Sequence, residues 1–188
     1  MQVTFTLRTE TCSPVTLNNI PIPQSNTAKY LGMHLDRKLN WKTHILTKRK
    51  SLGLQSSKLF WLLNKKSKLS LKNKVLIYTS ILKPIWTYGL QLWGTAANSN
   101  IEILQRFQSK TLRLMTGAPQ YVSNAQLHRE LQIPHVKDEI KTAAKKYLNR
   151  INAHPNQLAS GLMASTSRFT RLKRKAPIDL HLLNVINY

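Results

Sequence analysis

The chain has 188 residues, and its 29 Lys and Arg against 7 Asp and Glu give a formal net charge of +22 at pH 7. Such a charge attracts polyanions, so nucleic acid is the expected partner, ahead of an anionic membrane surface, and an enzyme of small substrates is disfavoured. Hydrophobic residues make up 41% of the chain, which is enough for a core and excludes a disordered basic tail. The single cysteine, Cys12, excludes an internal disulfide and a Cys-based zinc site, and it fits an intracellular location.

Targeting and membrane segments are not recognisable in the sequence. No apolar run approaches the roughly 18 residues that span a bilayer. Residues 1–10 also lack a basic start followed by an apolar stretch. We therefore expect a protein that is neither exported nor integral to a membrane.

The N-terminal part has the alternation of strands. Residues 3–8 alternate and predict a strand, and the turn-prone pair Asn18-Asn19 predicts a short hairpin. Residues 29–35 predict a further extended segment, in which Gly32 indicates a bulge or a close backbone contact. Because so few strands make an incomplete sheet, we expect this part to belong to a larger domain.

The pattern becomes helical from Asn40. Residues 40–63 predict either one long helix or a broken one, and Ser70 can cap a second helix whose apolar face continues to Ile85. Pro84 is expected to bend or end that helix.

Further helices are predicted towards the C-terminus. Residues 96–100 are predicted to be a loop before a helix that Gly117 closes, and Ser123 has the pattern of a helix cap. The apolar spacing of residues 136–151 predicts a last helix. Residues 168–175 are strongly basic, and we expect them to lie in a loosely ordered tail.

The sequence therefore predicts an α+β chain that is mainly α. Its expected parts are short N-terminal antiparallel strands in residues 1–39, a helical bundle in residues 40–118, a helical extension in residues 119–155 and a basic tail in residues 156–188.

Charge is unevenly distributed. From Arg37 to Ile101 there is no Asp or Glu, while the same stretch holds 13 Lys or Arg. A single lysine is most simply a solvated position, but a whole block without acidic partners favours phosphate binding. Lysine suits phosphate contacts better than base recognition, so we predict little sequence preference. The predicted phosphate contacts are Lys48, Arg49, Lys50, Lys58, Lys65, Lys66, Lys68, Lys72 and Lys74.

Tryptophans offer a second route to nucleic acid, because an exposed indole can stack on unpaired bases. Trp41, Trp61, Trp86 and Trp93 mostly have apolar helical neighbours, so we favour core packing over stacking.

A catalytic centre is not apparent in the chain. Two-metal phosphoryl-transfer sites need clustered carboxylates, and the first hundred residues contain only Glu10 and Asp36. The pair Asp138-Glu139 lies at a predicted helix start, where the helix dipole accounts for it. His128 and His135 have no third ligand at metal-binding spacing. We therefore assign no catalytic residue and no metal site.

Several short motifs occur together along roughly residues 3–152. They are the strand Lys29-Tyr30-Leu31-Gly32-Met33-His34-Leu35-Asp36, the segment Leu76-Ile77-Tyr78-Thr79-Ser80-Ile81-Leu82-Lys83-Pro84, the pairs Tyr88-Gly89 and Trp93-Gly94, the helix around Gln105-Arg106-Phe107-Gln108, and Leu131-Gln132-Ile133-Pro134. In this combination the chain resembles the reverse transcriptases of jockey-type non-LTR retrotransposons.

The resemblance implies that residues 1–39 end a palm domain, that residues 40–118 form a thumb, and that Tyr30, Leu31 and Gly32 form the primer grip. The metal-binding aspartate motif of the family would lie upstream, so this chain is expected to bind no cofactor, while the intact parent enzyme uses Mg²⁺. The implied partners are the template-primer duplex of RNA and DNA and the upstream fingers and palm, in the nucleus and cytoplasm.

We thus expect a fragment of an RNA-directed DNA polymerase that binds and positions its duplex and is inactive alone. One alternative is a stand-alone basic RNA- or DNA-binding protein without a catalytic role. Another is that the basic faces bind acidic proteins or membranes.

Overall fold

The computed structural model describes residues 1–7, 13–158 and Leu180. It is mainly helical with two small antiparallel sheets, as the sequence predicted. The helices of the described residues are α1 (Lys42–Lys58), α2 (Phe60–Leu63), α3 (Leu71–Ile77), α4 (Lys83–Thr87), α5 (Leu90–Trp93), α6 (Asn98–Thr116), α7 (Asn124–Glu130) and α8 (Val136–Asn152).

The first hairpin confirms the predicted turn. Strands β1 (Thr16–Leu17) and β2 (Ile20–Pro21) pair antiparallel. Asn18 and Asn19 join them with φ angles of 50° and 62°. Asparagine tolerates positive φ better than most residues, and two such residues make the turn whose twist matches paired strands.

The second hairpin corrects the prediction of one extended segment over residues 29–35. Strands β3 (Thr27–Tyr30) and β4 (Met33–Asp36) pair antiparallel, with Tyr30 opposite Met33. Leu31 and Gly32 form the turn, with φ angles of 46° and 74°. Gly32 is therefore a turn residue rather than a bulge, because two successive positive φ angles reverse the chain.

The strand predicted over residues 3–8 is absent from its described part, residues 3–7. The N-terminus instead makes isolated contacts: Gln2 forms a bridge with Gln24, and the Thr6 amide donates to the Arg37 carbonyl. Alternation predicts a strand only where a partner pairs with it, and among the described residues the pairing of this segment is limited to the single Gln2–Gln24 bridge.

A buried carboxylate joins the second hairpin to α1. Asp36 accepts hydrogen bonds from the backbone N–H groups of Lys38, Asn40 and Trp41, the last at 2.7 Å. The Trp41 indole N–H in turn donates to Thr95 Oγ1 at 2.9 Å. The start of α1 is thus fixed by side-chain hydrogen bonds rather than by its own N-terminal cap.

The predicted second helix is capped as expected but is not uniform. Ser70 Oγ accepts from the Asn73 amide at the start of α3. A π-helical segment, Tyr78–Leu82, then links α3 to α4. Pro84 does not end the helical path at once, because it lies in the first turn of α4, where a missing N–H costs no hydrogen bond.

The remaining helices form as predicted, except that α6 begins at Asn98, inside the expected loop. Gly117 ends α6 with a φ of 65°, and Ser123 Oγ caps α7 by accepting from the Gln126 amide. No helix among the described residues has the length and apolar character needed to cross a membrane.

One hydrophobic core runs through these elements. It includes side chains from the hairpin, α1, α4, α5, α6 and α8, among them Met33, Ile45, Leu52, Trp86, Trp93, Leu104, Ile140 and Leu180. The core therefore continues across the predicted boundaries after residues 39 and 118.

Candidate nucleic-acid interface

Lys74 is buried and has a structural role. Its side chain is 4% exposed, and Nζ donates to the Asn64 carbonyl oxygen at 2.7 Å. This contact holds the loop before α3 against the helix. Because the ammonium group faces the interior, Lys74 leaves the set of predicted phosphate contacts.

Lys48 and Arg49 each lie over an aromatic ring of another element. The Arg49 guanidinium lies 4.8 Å from the ring centroid of Phe107, and Lys48 Nζ lies 5.4 Å from that of Tyr88. Both side chains are half-buried, and burial lowers the pKa of Lys48. These cations tie α1 to α6 and to the end of α4.

The other six predicted cations are exposed. They lie in the second half of α1, in the loop between α2 and α3, and at the start of α3; they are Lys50, Lys58, Lys65, Lys66, Lys68 and Lys72. We refer to these six as the exposed lysine set. The stem of Lys65 also covers Gly117, where a Cβ would lie 2.9 Å from Lys65 Cδ.

No salt bridge of the described residues involves the exposed lysine set. Among the described residues, salt bridges join Lys83 to Glu139 and Lys137 to Glu102. Both carboxylates belong to α6 and α8. Because the stretch from Arg37 to Ile101 contains no acidic residue, the positive charge of the six lysines is not neutralised within their own segment.

The predicted primer-grip turn is exposed and anchored from α4. Tyr30 and Leu31 are well exposed at the hairpin tip. The Tyr88 hydroxyl donates to the Leu31 carbonyl oxygen at 2.9 Å, and a Cβ on Gly32 would lie 3.5 Å from the Tyr88 ring. A Cβ on Gly89 would lie only 2.7 Å from Met33 Sδ.

Sequence reasoning missed this anchor. The resemblance drew attention to the Tyr88-Gly89 pair, but nothing in the sequence showed that it packs on a turn 57 residues earlier. The contact joins the turn to α1 as well, because Lys48 lies over the same tyrosine ring.

His44 is a neutral group at the centre of this region. Its Nδ1 accepts from the His34 amide at 3.2 Å. Burial, together with the positive charge of Lys48 and the neighbouring His34, lowers the pKa of His44 to about 4. The imidazole therefore stays uncharged at neutral pH, with Lys48 as its cationic neighbour.

The tryptophans divide three to one. Trp41, Trp86 and Trp93 are buried, as predicted, but Trp61 in α2 is 71% exposed. Core packing is thus wrong for Trp61. In the same short helix Leu63 is buried in the core, while the indole of Trp61 faces solvent.

His128 and His135 stack on each other, with ring centroids 3.8 Å apart. His128 Nδ1 lies 2.7 Å from the Ile133 carbonyl oxygen, and burial lowers the pKa of His128. In the described part of the chain, no three His, Cys, Asp or Glu side chains could share a metal ion. These residues therefore do not fit a two-metal centre.

Known proteins similar to this chain are polymerases of mobile elements. The chain is 45% identical over 178 residues to the probable RNA-directed DNA polymerase from transposon X-element of Drosophila melanogaster. It is 40% identical over 186 residues to the RNA-directed DNA polymerase from mobile element jockey of the same species, and 36% identical to the probable polymerase from transposon BS.

These matches cover almost all of this chain and a small part of its relatives. The X-element and jockey matches each take in 95% of the chain but 20% of the relative. No protein-family profile and no solved structure matches the chain. The chain is therefore homologous to a segment of the jockey-type RNA-directed DNA polymerases, and this segment makes up about a fifth of the length of each. These are the non-LTR retrotransposon polymerases that its motifs indicated.

Proposed function

We propose that this chain is the duplex-positioning part of a jockey-type reverse transcriptase. The exposed lysine set holds the phosphates of the template-primer duplex, and the turn formed by Tyr30, Leu31 and Gly32 grips the primer end. The homology supports the polymerase context. The observation that carries the proposal is the exposure of six lysines in a segment without acidic residues.

Positioning is a physical contribution to catalysis in its own right. A polymerase must keep the primer 3′ end aligned with its metal ions, and phosphate contacts fix the register of a duplex without reading its sequence. Tyr88 contributes by holding the grip turn, since its hydroxyl bonds the Leu31 carbonyl. Core contacts of Ile45 and Leu52 in α1, and of Val75 in α3, support the helices that carry Lys50, Lys58 and Lys72.

Bond formation is assigned to the rest of the parent enzyme. The described residues offer no carboxylate cluster for Mg²⁺, so the proposal places the metal ions and their aspartates in the upstream palm. The purified chain is expected to extend no primer when it receives Mg²⁺ and deoxynucleotides. Measurable extension would contradict the assignment of a positioning role alone.

The test is the affinity for a labelled RNA–DNA heteroduplex, measured by fluorescence anisotropy at several salt concentrations. With half a dozen phosphate contacts, affinity is expected to fall on the order of a thousandfold between about 50 and 200 mM salt. A variant with Lys58, Lys66, Lys68 and Lys72 replaced by Gln should bind at least tenfold more weakly and lose about one unit of salt slope per lysine.

A matched control removes the same charge elsewhere. Lys110, Lys145, Lys146 and Arg150 are exposed on α6 and α8, and replacing them by Gln lowers the net charge equally. This control should bind nearly as well as the natural chain. Equal losses in both variants would reduce the interaction to net charge, and stronger binding of an acidic polypeptide than of heteroduplex would favour protein docking.

A further inference from the structure

Two exposed aromatic side chains, Phe60 and Trp61, begin α2 directly after the end of α1. Trp61 is 71% exposed and Phe60 is half exposed, although aromatic side chains normally gain most by burial. The other three tryptophans of the chain are buried. The indole of Trp61 is therefore available to a partner, while the interior is already filled by its neighbours.

The local backbone explains this exposure. Leu59 interrupts the helix with φ −94° and ψ 4°, and the chain resumes as α2. Leu63 is fully buried and fixes which side of α2 meets the core. Phe60 and Trp61 are consequently turned outward. The interruption thus determines the position of Trp61.

The same outward side of α1 carries alternating lysines and apolar residues. Lys50, Leu54 and Lys58 follow at intervals of four residues, and Trp61 comes three residues later. All four are exposed. Helical residues four apart lie on one side, so Lys50, Leu54 and Lys58 share one side of α1. Trp61 follows in the single turn of α2, directly after the interruption at Leu59, so an exposed indole comes within three residues of the exposed Lys58.

The chemistry of the stripe favours unpaired nucleotides. A single strand offers a free base face beside each phosphate, and aromatic side chains flanked by cations are its usual binding surface. In a duplex the base faces are already stacked, so Trp61 would gain little there. A membrane-surface helix separates its apolar and charged faces, whereas here both alternate on one side and the apolar face is in the core.

We propose that Trp61 is the stacking platform of a single-stranded nucleic-acid site, where one unpaired base lies on the indole and adjacent phosphates contact Lys50 and Lys58. This inference rests on the proposed function, because it adds a site for the unpaired strand beside the duplex surface. RNA and DNA share the required base and phosphate, so both are used as probes.

The experiment compares short oligouridylate, oligothymidylate and an abasic strand of equal length and charge. The exposed indole should be quenched by the two base-containing strands and not by the abasic one. Trp61→Ala should weaken binding of both base-containing strands about tenfold, which is within the range for one lost base stack. Trp61→Phe should remove the quenching and restore most of the affinity.

Controls separate this site from the duplex surface. Heteroduplex affinity of Trp61→Ala should stay within about twofold of the natural chain. Tyr121→Ala, at an 88% exposed aromatic in the loop before α7, should change neither affinity. The variant with four exposed lysines replaced by Gln should weaken binding of both nucleic acids, whereas Trp61→Ala should weaken binding of the single strand alone. Comparing the two variants therefore tests the duplex surface and the stacking site separately.

Three results would overturn the stacking site. One is equal quenching by the abasic strand, which would show attraction by charge alone. The second is an equal loss of single-strand and duplex affinity in Trp61→Ala. The third is binding to anionic phospholipid vesicles that depends on Trp61 while single-strand binding does not.

Discussion

Residues 42–77 and residues 98–152 use the same helical architecture but place their charges differently. Both regions bury an apolar face in the common core. The second region holds every acidic residue of the described chain except Asp36, and its carboxylates pair with Lys83 and Lys137. The first has no acidic residue, and seven of its lysines are exposed, namely Lys42 and the exposed lysine set.

The difference separates charge that stabilises from charge that is available. Exposed ion pairs such as Lys137–Glu102 contribute at most about 1 kcal/mol, so the absence of acids costs the first region little stability. It leaves a surface potential that attracts polyanions. The exposed lysine set takes part in no salt bridge of the described residues, and the proposed nucleic-acid partner would account for its charge.

The largest expected effect tests whether the two regions share one core. Gly94 follows α5, and a Cβ there would lie 2.6 Å from the Leu90 carbonyl and 2.8 Å from Ile140 Cγ2 in α8. Gly94→Ala should therefore reduce the free energy of unfolding by about 1–3 kcal/mol, because backbone must move. Urea unfolding followed by circular dichroism measures this change.

Gly53→Ala is the matched control, because a Cβ at Gly53 would meet only the flexible end of Arg49, at 3.2 Å. It should change stability by less than about 1 kcal/mol, because the gain in helix propensity is opposed by a small shift of Arg49 on Phe107. If Gly94→Ala left α1 as protected from hydrogen exchange as in the natural chain while α8 unfolded, the two regions would be separate units and the comparison would fail at its base.

The next effect concerns a buried imidazole under the cationic surface. The pKa of His44 falls from 6.5 to about 4 on folding, so the folded state binds fewer protons than the unfolded chain. The stability associated with the uncharged imidazole is fully present above about pH 6.5, and it is lost as the pH falls towards 4. Between about pH 7 and 4.5 this loss is expected to be about 2 kcal/mol.

His44→Asn removes the titration while keeping an acceptor for the His34 amide. Its stability should fall less steeply on acidification. A weaker pH dependence will remain, because burial also lowers the pKa of His128. Denaturation midpoints at a series of pH values measure both slopes, and parallel curves for the variant and the natural chain would contradict the role of His44.

The smallest effect sharpens the division among the lysines themselves. Lys74 and Lys72 lie on the same helix, but Lys74 donates to the Asn64 carbonyl in the interior while Lys72 is exposed. Lys74→Met should cost about 1–2 kcal/mol of stability by leaving that carbonyl without its partner. Lys72→Met should change stability by less than about 0.5 kcal/mol.

Heteroduplex binding should reverse this order. Lys72→Met is expected to weaken binding by a few-fold and Lys74→Met hardly at all, once both proteins are measured below their unfolding transitions. If Lys74→Met weakened binding as strongly as Lys72→Met, the buried lysine would belong to the interface after all.

The local elements were largely readable from the sequence, and the failures share a cause. Ser70 and Ser123 cap helices as predicted because capping depends on neighbours a few residues apart. The strand predicted over residues 3–8 is absent from its described part, residues 3–7, because a strand needs a pairing partner that alternation alone does not reveal. The single extended segment over residues 29–35 is instead a hairpin, because the chain reverses at Leu31 and Gly32. The basic residues 168–175 and Cys12 lie outside the described residues, so the expected tail stays a prediction.

The sequence by itself determined the positive charge, the acid-free segment, the helical character and the polymerase relationship, because these follow from residue types, short-range spacing and motif order. Only the tertiary structure decided which lysines are available, because burial depends on contacts between distant segments. It turned Lys74 inward, covered Phe107 with Arg49, attached Tyr88 to the hairpin turn and left Trp61 exposed.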